Sequence, residues 1–305
     1  MSRFFWLIRR EIWEHKAIWV APLIVLACLV VATLTGNVHL GPIGTMDTGT
    51  ALGALPQEKQ VQLLLIVYAG LAFVMDWVLG IVAFFYALDS LYADRRDRSV
   101  LFWKSLPLSD AETVLSKFAV AAVVIPVIAL VASVLAQLVI AAGGSVKLAM
   151  AGQAAGIMWH PQAIVGGIVA AAVWCFTAIL WFAPVIGYLM LASAWAPRGP
   201  FLWAVLPPAA LYLLERVLLY TNHVGDFIKE RLFDLLRLVR PERAADLEAA
   251  TDEQVRGQVL KLSELDLLGS LRDFYTSPDL WLGVVAAAAL IAAATWVRRY
   301  RDETA

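Results

Sequence analysis

Six stretches of the chain are apolar with hardly a polar interruption: Ala17–Thr35, Val61–Tyr86, Phe118–Ala142, Ala163–Ala194, Phe201–Tyr220 and Leu280–Val297. Each approaches or exceeds the ~20 residues that a helix rising ~1.5 Å per residue needs to cross a hydrocarbon core ~30 Å thick. The pattern predicts an all-α, polytopic membrane protein with six transmembrane helices. The fifth run carries Pro207-Pro208 and the charged pair Glu215 and Arg216, so a kink or break is expected there.

The segments between the runs have patterns of their own. Near the N-terminus Phe4, Ile8 and Ile12 follow i, i+4 spacing, with Arg3, Arg10 and Glu14 opposite. This predicts an N-terminal interfacial helix over residues 1–16 feeding the first span. Basic residues ahead of an apolar run also suit a signal peptide. Against that, Phe5, Trp6 and Trp13 crowd the basic part further, and no small-x-small cleavage site follows cleanly. The long polar segment Thr221–Asp279 carries a helical stripe of Ile228, Leu232, Leu235, Leu236 and Val239. Pro241 ends that stripe, Thr251 and Gln254 have capping-box spacing, and Ser263 suits a further helix start. This segment reads as an external helical cap. It is a packing lid over the spans, or else a substrate gate or a dock for another protein. The organisation is therefore residues 1–16, an interfacial helix; 17–220, spans one to five with a loop at 92–117; 221–279, the cap; and 280–305, the sixth span and tail.

Composition narrows the class. Apolar residues make up 61% of the 305, and charged residues 16%, against ~45–50% and ~25% in soluble domains. A lipid solvent accommodates that surplus. A net charge of -1 gives no basic field for nucleic acid. Cys28 and Cys175 both fall inside apolar runs and read as inert small residues, not as a disulfide or metal pair. Lysine and arginine set orientation. One side carries Arg3, Arg9, Arg10, Lys16, Arg95, Arg96, Arg98, Lys104, Lys117, Arg198, Arg298, Arg299 and Arg301, while the short loops opposite hold only Lys59 and Lys147. Both termini are thus expected in the cytoplasm. Thr221–Asp279 holds eight Lys/Arg and twelve Asp/Glu, but a loop that long translocates largely regardless of charge.

Catalytic and metal motifs are missing. The chain has no Gly-x-x-x-x-Gly-Lys-Ser/Thr loop, no His-Glu-x-x-His and no Gly-x-Ser-x-Gly. His15, His39, His160 and His223 are scattered near span ends and read as solvated side chains. Asp76 stands out, near the middle of the second run among Val74, Met75, Trp77 and Val78. A lone charge there costs at least ~2.5–3.5 kcal/mol. It is expected either to hydrogen-bond Thr177 or Gln137 between helices, or to serve as a proton or cation site. The second option would make the chain a proton- or cation-coupled secondary transporter.

The loop after the second run is the most informative. It reads DRRDRSVLFWKSLPLSDAETVLSK from Asp94 to Lys117. Arg95, Arg96 and Arg98 alternate with Asp94 and Asp97, and Val100, Leu101, Phe102 and Trp103 are bulky and apolar in a charged setting. Aromatic residues framed by charges have the make-up of an interface core with a polar rim. Pro107 breaks the chain, and Ser109 with Glu112 forms a capping box that starts a helix into the third span. The residues read as a docking element for another protein or as a positive-inside anchor with an aromatic belt.

This loop resembles the first cytoplasmic loop of permease subunits of type-2 ABC exporters. The likeness rests on Asp97–Ser99, Phe102–Pro107, Ser109-Asp110 and Glu112-Thr113. The remaining likeness is architectural: Arg9, Arg10, Glu11 and Trp13 in an N-terminal helix, six spans, and a large external loop before the last. The resemblance implies a transport subunit without an ATPase site or bound cofactor of its own. A separate ABC ATPase, with its ATP and magnesium, would dock on Arg95, Arg96, Asp97, Arg98, Leu101, Phe102, Trp103, Lys104, Leu106 and Pro107. It further implies a unit of two ATPases and a permease homodimer in the bacterial inner membrane. Substrate would cross at a seam lined by the second and fifth spans, near Asp76, Pro207 and Pro208. From another class, the chain reads as a membrane sensor or structural protein whose external cap binds a partner.

Overall fold

The computed structural model describes residues 3–35, 56–97, 108–150, 152–233 and 267–301. Every regular element among them is helical. Helix α1 spans Arg3–Glu14 and α2 Ala17–Thr35. Helix α3 runs over Gln57–Arg96, ten residues beyond the second apolar run at its C-terminal end. The third span is α4, Asp110–Ala119, a π segment, Val120–Val124, and α5, Ile125–Met150. A 3-10 turn at Ala155–Trp159 leads to α6, Pro161–Trp195. Then follow α7, Pro200–Leu214, a π segment at Glu215–Leu219, α8, His223–Phe233, α9, Leu267–Thr276, and α10, Pro278–Arg301. Six of these stretches are long and apolar enough to cross a membrane.

Prolines explain the irregular turns. Pro126 has no N–H and its ring crowds the carbonyl four residues back, and the π segment just before it relieves that conflict. The helix continues across Pro207-Pro208, and the regular α geometry of the fifth run gives way at the charged pair instead, to the π segment that starts at Glu215. Pro208 cannot bond the Ala204 carbonyl, but Tyr188 of α6 supplies the missing donor at 2.8 Å. Gly199 sits at φ 58° in the short link before Pro200, a left-handed conformation that costs glycine little.

Helix α6 is central, packed along α3 on one side and α10 on the other. Ala163, Gly167, Ala171 and Cys175 recur every fourth residue on its buried face. These small side chains let α3 approach closely, the usual means of packing helices in lipid. A Cβ at Gly167 would lie 2.8 Å from Tyr68 Cβ and 3.1 Å from Gln137 Oε1. Tyr68 is itself fixed by a 2.9 Å bond to the Met158 carbonyl. Helix α7 buries less of itself than any other described span.

The described parts of the polar segment are fastened onto the spans. Glu215 caps α8, accepting from the backbone N–H of His223 at 2.6 Å and Val224 at 2.7 Å and from Thr221 Oγ1 at 2.8 Å. It is thus a helix cap. Arg231 lies flat over Trp181, 4.1 Å from the ring, and its backbone carbonyl accepts from Trp181 Nε1 at 2.9 Å. Burial lowers the pKa of that guanidinium, with Asp279 acting the other way. Tyr275 of α9 bonds Thr177 at 3.0 Å. Leu235, Leu236, Val239, Pro241, Thr251, Gln254 and Ser263 lie outside the described residues. Replacing Glu215 with Ala frees three donors at the start of α8. Limited proteolysis is expected to cut the segment after the fifth span several-fold faster than in the wild type.

Candidate functional site

Six spans place α1 and the end of α10 on one face, and a charged cluster closes that face from within. Its central members are nearly inaccessible: Glu11 is 2% exposed, Asp94 6%, Lys117 2% and Arg298 4%. Lys117 Nζ sits 3.1 Å from Glu11 and 3.4 Å from Asp94. Arg298 Nη1 donates to Asp94 at 2.8 Å, and its Nε to Asp110 at 3.3 Å. Tyr86 donates to Glu11 Oε2 at 3.0 Å, and Arg10 reaches Glu11 Oε1 at 3.3 Å. Each buried acid of the cluster therefore has a base against it, and each buried base an acid. That pairing is what makes burial of its charges tolerable.

The cluster joins four bodies. Glu11 belongs to α1, Asp94 to the end of α3, Asp110 and Lys117 to α4, and Arg298 to the end of α10. Each arrives there for a local reason. Glu11 follows Leu7 by one turn on the buried stripe of α1. Lys117 lies on the buried face of α4, whose start is set by the expected capping box: Glu112 N donates to Ser109 Oγ at 3.1 Å and Ser109 N to Glu112 Oε2 at 2.8 Å. Asp94 and Asp110 flank the loop after the second span. Both ends of that loop are therefore clamped to the first and last helices of the chain. The loop is also shorter than residues 92–117, since 92–96 continue α3 and 110–117 belong to α4.

The sequence pointed to this loop but not to the clamp beneath it. Lys117 and Arg298 count toward charge asymmetry, and Glu11 looks like one more residue of a basic helix. The available signal was an acid on the apolar stripe of α1. Of the expected docking residues, Arg95, Arg96 and Asp97 are described. Arg95 turns inward and donates to the carbonyls of Ser193 at 2.5 Å and Ala196 at 2.9 Å, capping the end of α6. Arg96 and Asp97 are exposed and pair with each other at 3.0 Å. Arg98, Leu101, Phe102, Trp103, Lys104, Leu106 and Pro107 lie outside the described residues. His15 and His160 are half-buried. His15 stacks edge-on against Tyr86, and His160 bonds Gln57 at 2.8 Å.

Asp76 departs from the expected interhelical bond. Among the described residues no hydrogen bond or ion pair reaches it. Thr177 instead bonds the Val173 carbonyl and Tyr275, and the Gln137 amide is buried without a partner among the described residues. Phe73 and Trp77 flank Asp76 on α3, and Trp174 meets Phe73 from α6. Pro207 and Pro208 are half-buried on α7, whose described ring contact with α3 is Phe201 against Phe84.

Residues 58–195 match the family model described as ABC-2 family transporter protein. This stretch is similar to ABC-2 transporter membrane domains, and the match is consistent with an ABC-2 type permease. No curated protein and no solved structure matches the chain. The matched stretch runs from α3 to the end of α6, so it includes Asp76, the loop and two arms of the clamp, Asp94 and Lys117. Glu11 and Arg298 close the clamp from outside it. With six helices long and apolar enough to span, the chain is a multi-pass membrane protein; the match supports a permease, and ABC-2 permeases generally work with a separate ATPase.

Proposed function

We propose that this chain is the membrane-spanning subunit of an ATP-driven exporter. A separate ABC ATPase docks on the loop between Arg96 and Ser109 and carries the ATP and magnesium. Two ATPases serve a permease homodimer in the bacterial cytoplasmic membrane, with both termini on the cytoplasmic side. The chain itself performs no hydrolysis. Substrate passes at the seam of the two copies, beside α3 and α7, with Asp76, Pro207 and Pro208 along its path.

The observation that carries this reading is the buried clamp. A loop that only marks the cytoplasmic side needs no mechanical connection to the first and last helices. This loop is anchored at both ends to a buried, charge-paired cluster that also holds α1 and α10. A partner closing on Phe102 and Trp103 would move four helices together. The weakly buried α7 supports a second copy packed against it.

Affinity purification of the tagged chain from its native membrane tests the proposal. The wild type is expected to bring down an ATPase bearing a phosphate-cradling loop, and Trp103→Ala and Arg96→Glu to lose most of it. Undiminished recovery of the ATPase, and undiminished stimulation of its hydrolysis, by both variants would overturn the docking assignment.

A further inference from the structure

Asp76 is not explained by the fold. It lies at the midpoint of the 40-residue α3 and is half-buried, with Trp77 and Gly80 exposed next to it on the same helix face. A carboxylate in hydrocarbon without a partner must be neutralised, and the described elements packed nearby supply no base that pairs with it. What they supply is aromatic surface. Phe73, Asp76, Trp77 and Gly80 share one face of α3 at i, i+3, i+4 and i+7. The rings of Phe73 and Trp77 meet edge to face at 6.2 Å, and Trp174 of α6 meets Phe73 at 6.1 Å. Gly80 and Gly70 each have nothing within 4 Å of a side-chain position, so the acid and its rings border open space on both sides along the helix. Phe73 and Asp76 are half-buried while Trp77 and Gly80 are exposed, so the flank lies at the edge of the contact between α3 and α6, with the buried Cys175 of α6 close enough to feel the carboxylate.

A half-buried acid sharing a helix face with aromatic rings, at an edge where Trp77 and Gly80 are exposed, favours one kind of ligand. The carboxylate neutralises a positive charge, and the ring faces attract the same charge through their quadrupoles while contacting its apolar groups. We infer that the α3 flank formed by Phe73, Asp76 and Trp77, with Trp174 of α6, binds lipophilic cations such as quaternary ammonium or phosphonium compounds. This names the substrate class for the permease reading and rests on that reading only for transport. Binding itself needs no ATPase.

Equilibrium dialysis of tetraphenylphosphonium against the purified full-length chain in lipid nanodiscs tests the inference. The wild type is expected to bind saturably. Asp76→Asn, nearly the same size, is expected to bind at least tenfold more weakly, and Trp77→Ala several-fold more weakly. Asp76→Glu should retain binding, which shows that the site tolerates substitution. Triphenylphosphine oxide, uncharged and similar in shape, should bind wild type and Asp76→Asn alike. Equal affinity of wild type and Asp76→Asn for the phosphonium overturns the inference, as does no saturable binding by the wild type. A dimer that dissociates on Asp76→Asn while phosphonium affinity holds would assign Asp76 to contact between copies instead. Because no ATPase is present, these outcomes stand apart from the fate of the docking proposal.

Discussion

Lys117→Met is expected to destabilise the protein by about 3–5 kcal/mol, the loss typical of removing one partner from a buried ion cluster. Methionine fills nearly the same space, so packing is not the cause. The cause is charge: Glu11 and Asp94, each touching Lys117 Nζ, would be left facing each other across a desolvated gap. Arg298 would still serve Asp94 and Arg10 would still reach Glu11, which bounds the loss. Thermal unfolding of the detergent-solubilised protein should reveal it as a clear drop in midpoint. Adding Glu11→Gln to Lys117→Met restores the net charge, and the amide oxygen introduced on α1 can still accept from Tyr86. The double variant is expected to recover most of the loss. A single variant as stable as the wild type, or a double variant worse than the single, would mean that the cluster is hydrated and not closed.

Gly167→Val should cost about 1–3 kcal/mol or more, as overpacking does, and for a different reason. Its Cβ would fall 2.8 Å from Tyr68 Cβ, an atom fixed to the α3 backbone. Rotation of the tyrosine cannot relieve that contact, and Tyr68 is fully buried and bonded to Met158. The helices α3 and α6 must move apart, which also endangers that hydrogen bond, worth about 1 kcal/mol. Gly70→Ala, on α3 itself, is the control. It meets nothing within 4 Å and removes a poor helix former, so its expected effect is neutral or slightly stabilising. A Gly167 variant that unfolds like the Gly70 variant would contradict the close α3–α6 approach.

Much of this architecture could be read from the chain because membrane spans are specified locally. Ala17–Thr35 is helical over the whole of its apolar run. Helix α3 overshoots its run since helical hydrogen bonding does not stop at the first polar residue, and Asp89, Asp94 and Arg95 continue it. The capping box at Ser109 and Glu112 was visible for the same local reason. Long-range pairings were not. Arg298 and Asp94 lie 204 positions apart, and Tyr86 and Glu11 75; counting charges cannot separate a solvated lysine from one sealed against two carboxylates. The helix continues past Pro207-Pro208, with the Ala204 carbonyl satisfied by Tyr188 on another helix, a donor the local sequence does not show. For Asp76, the expected partner Thr177 is taken by Tyr275 from the segment after the fifth span, and nothing in the local sequence announces that competition.

The central claim is that the loop after the second span is a handle held by an ATPase. A photoreactive amino acid placed at Trp103 in the full-length chain, activated in native membranes, reports what that position touches. A covalent adduct to a protein bearing a phosphate-cradling loop, formed in the complex and lost with Arg96→Glu, is the result expected. Adducts to lipid alone, from a complex that still contains its ATPase, would contradict it.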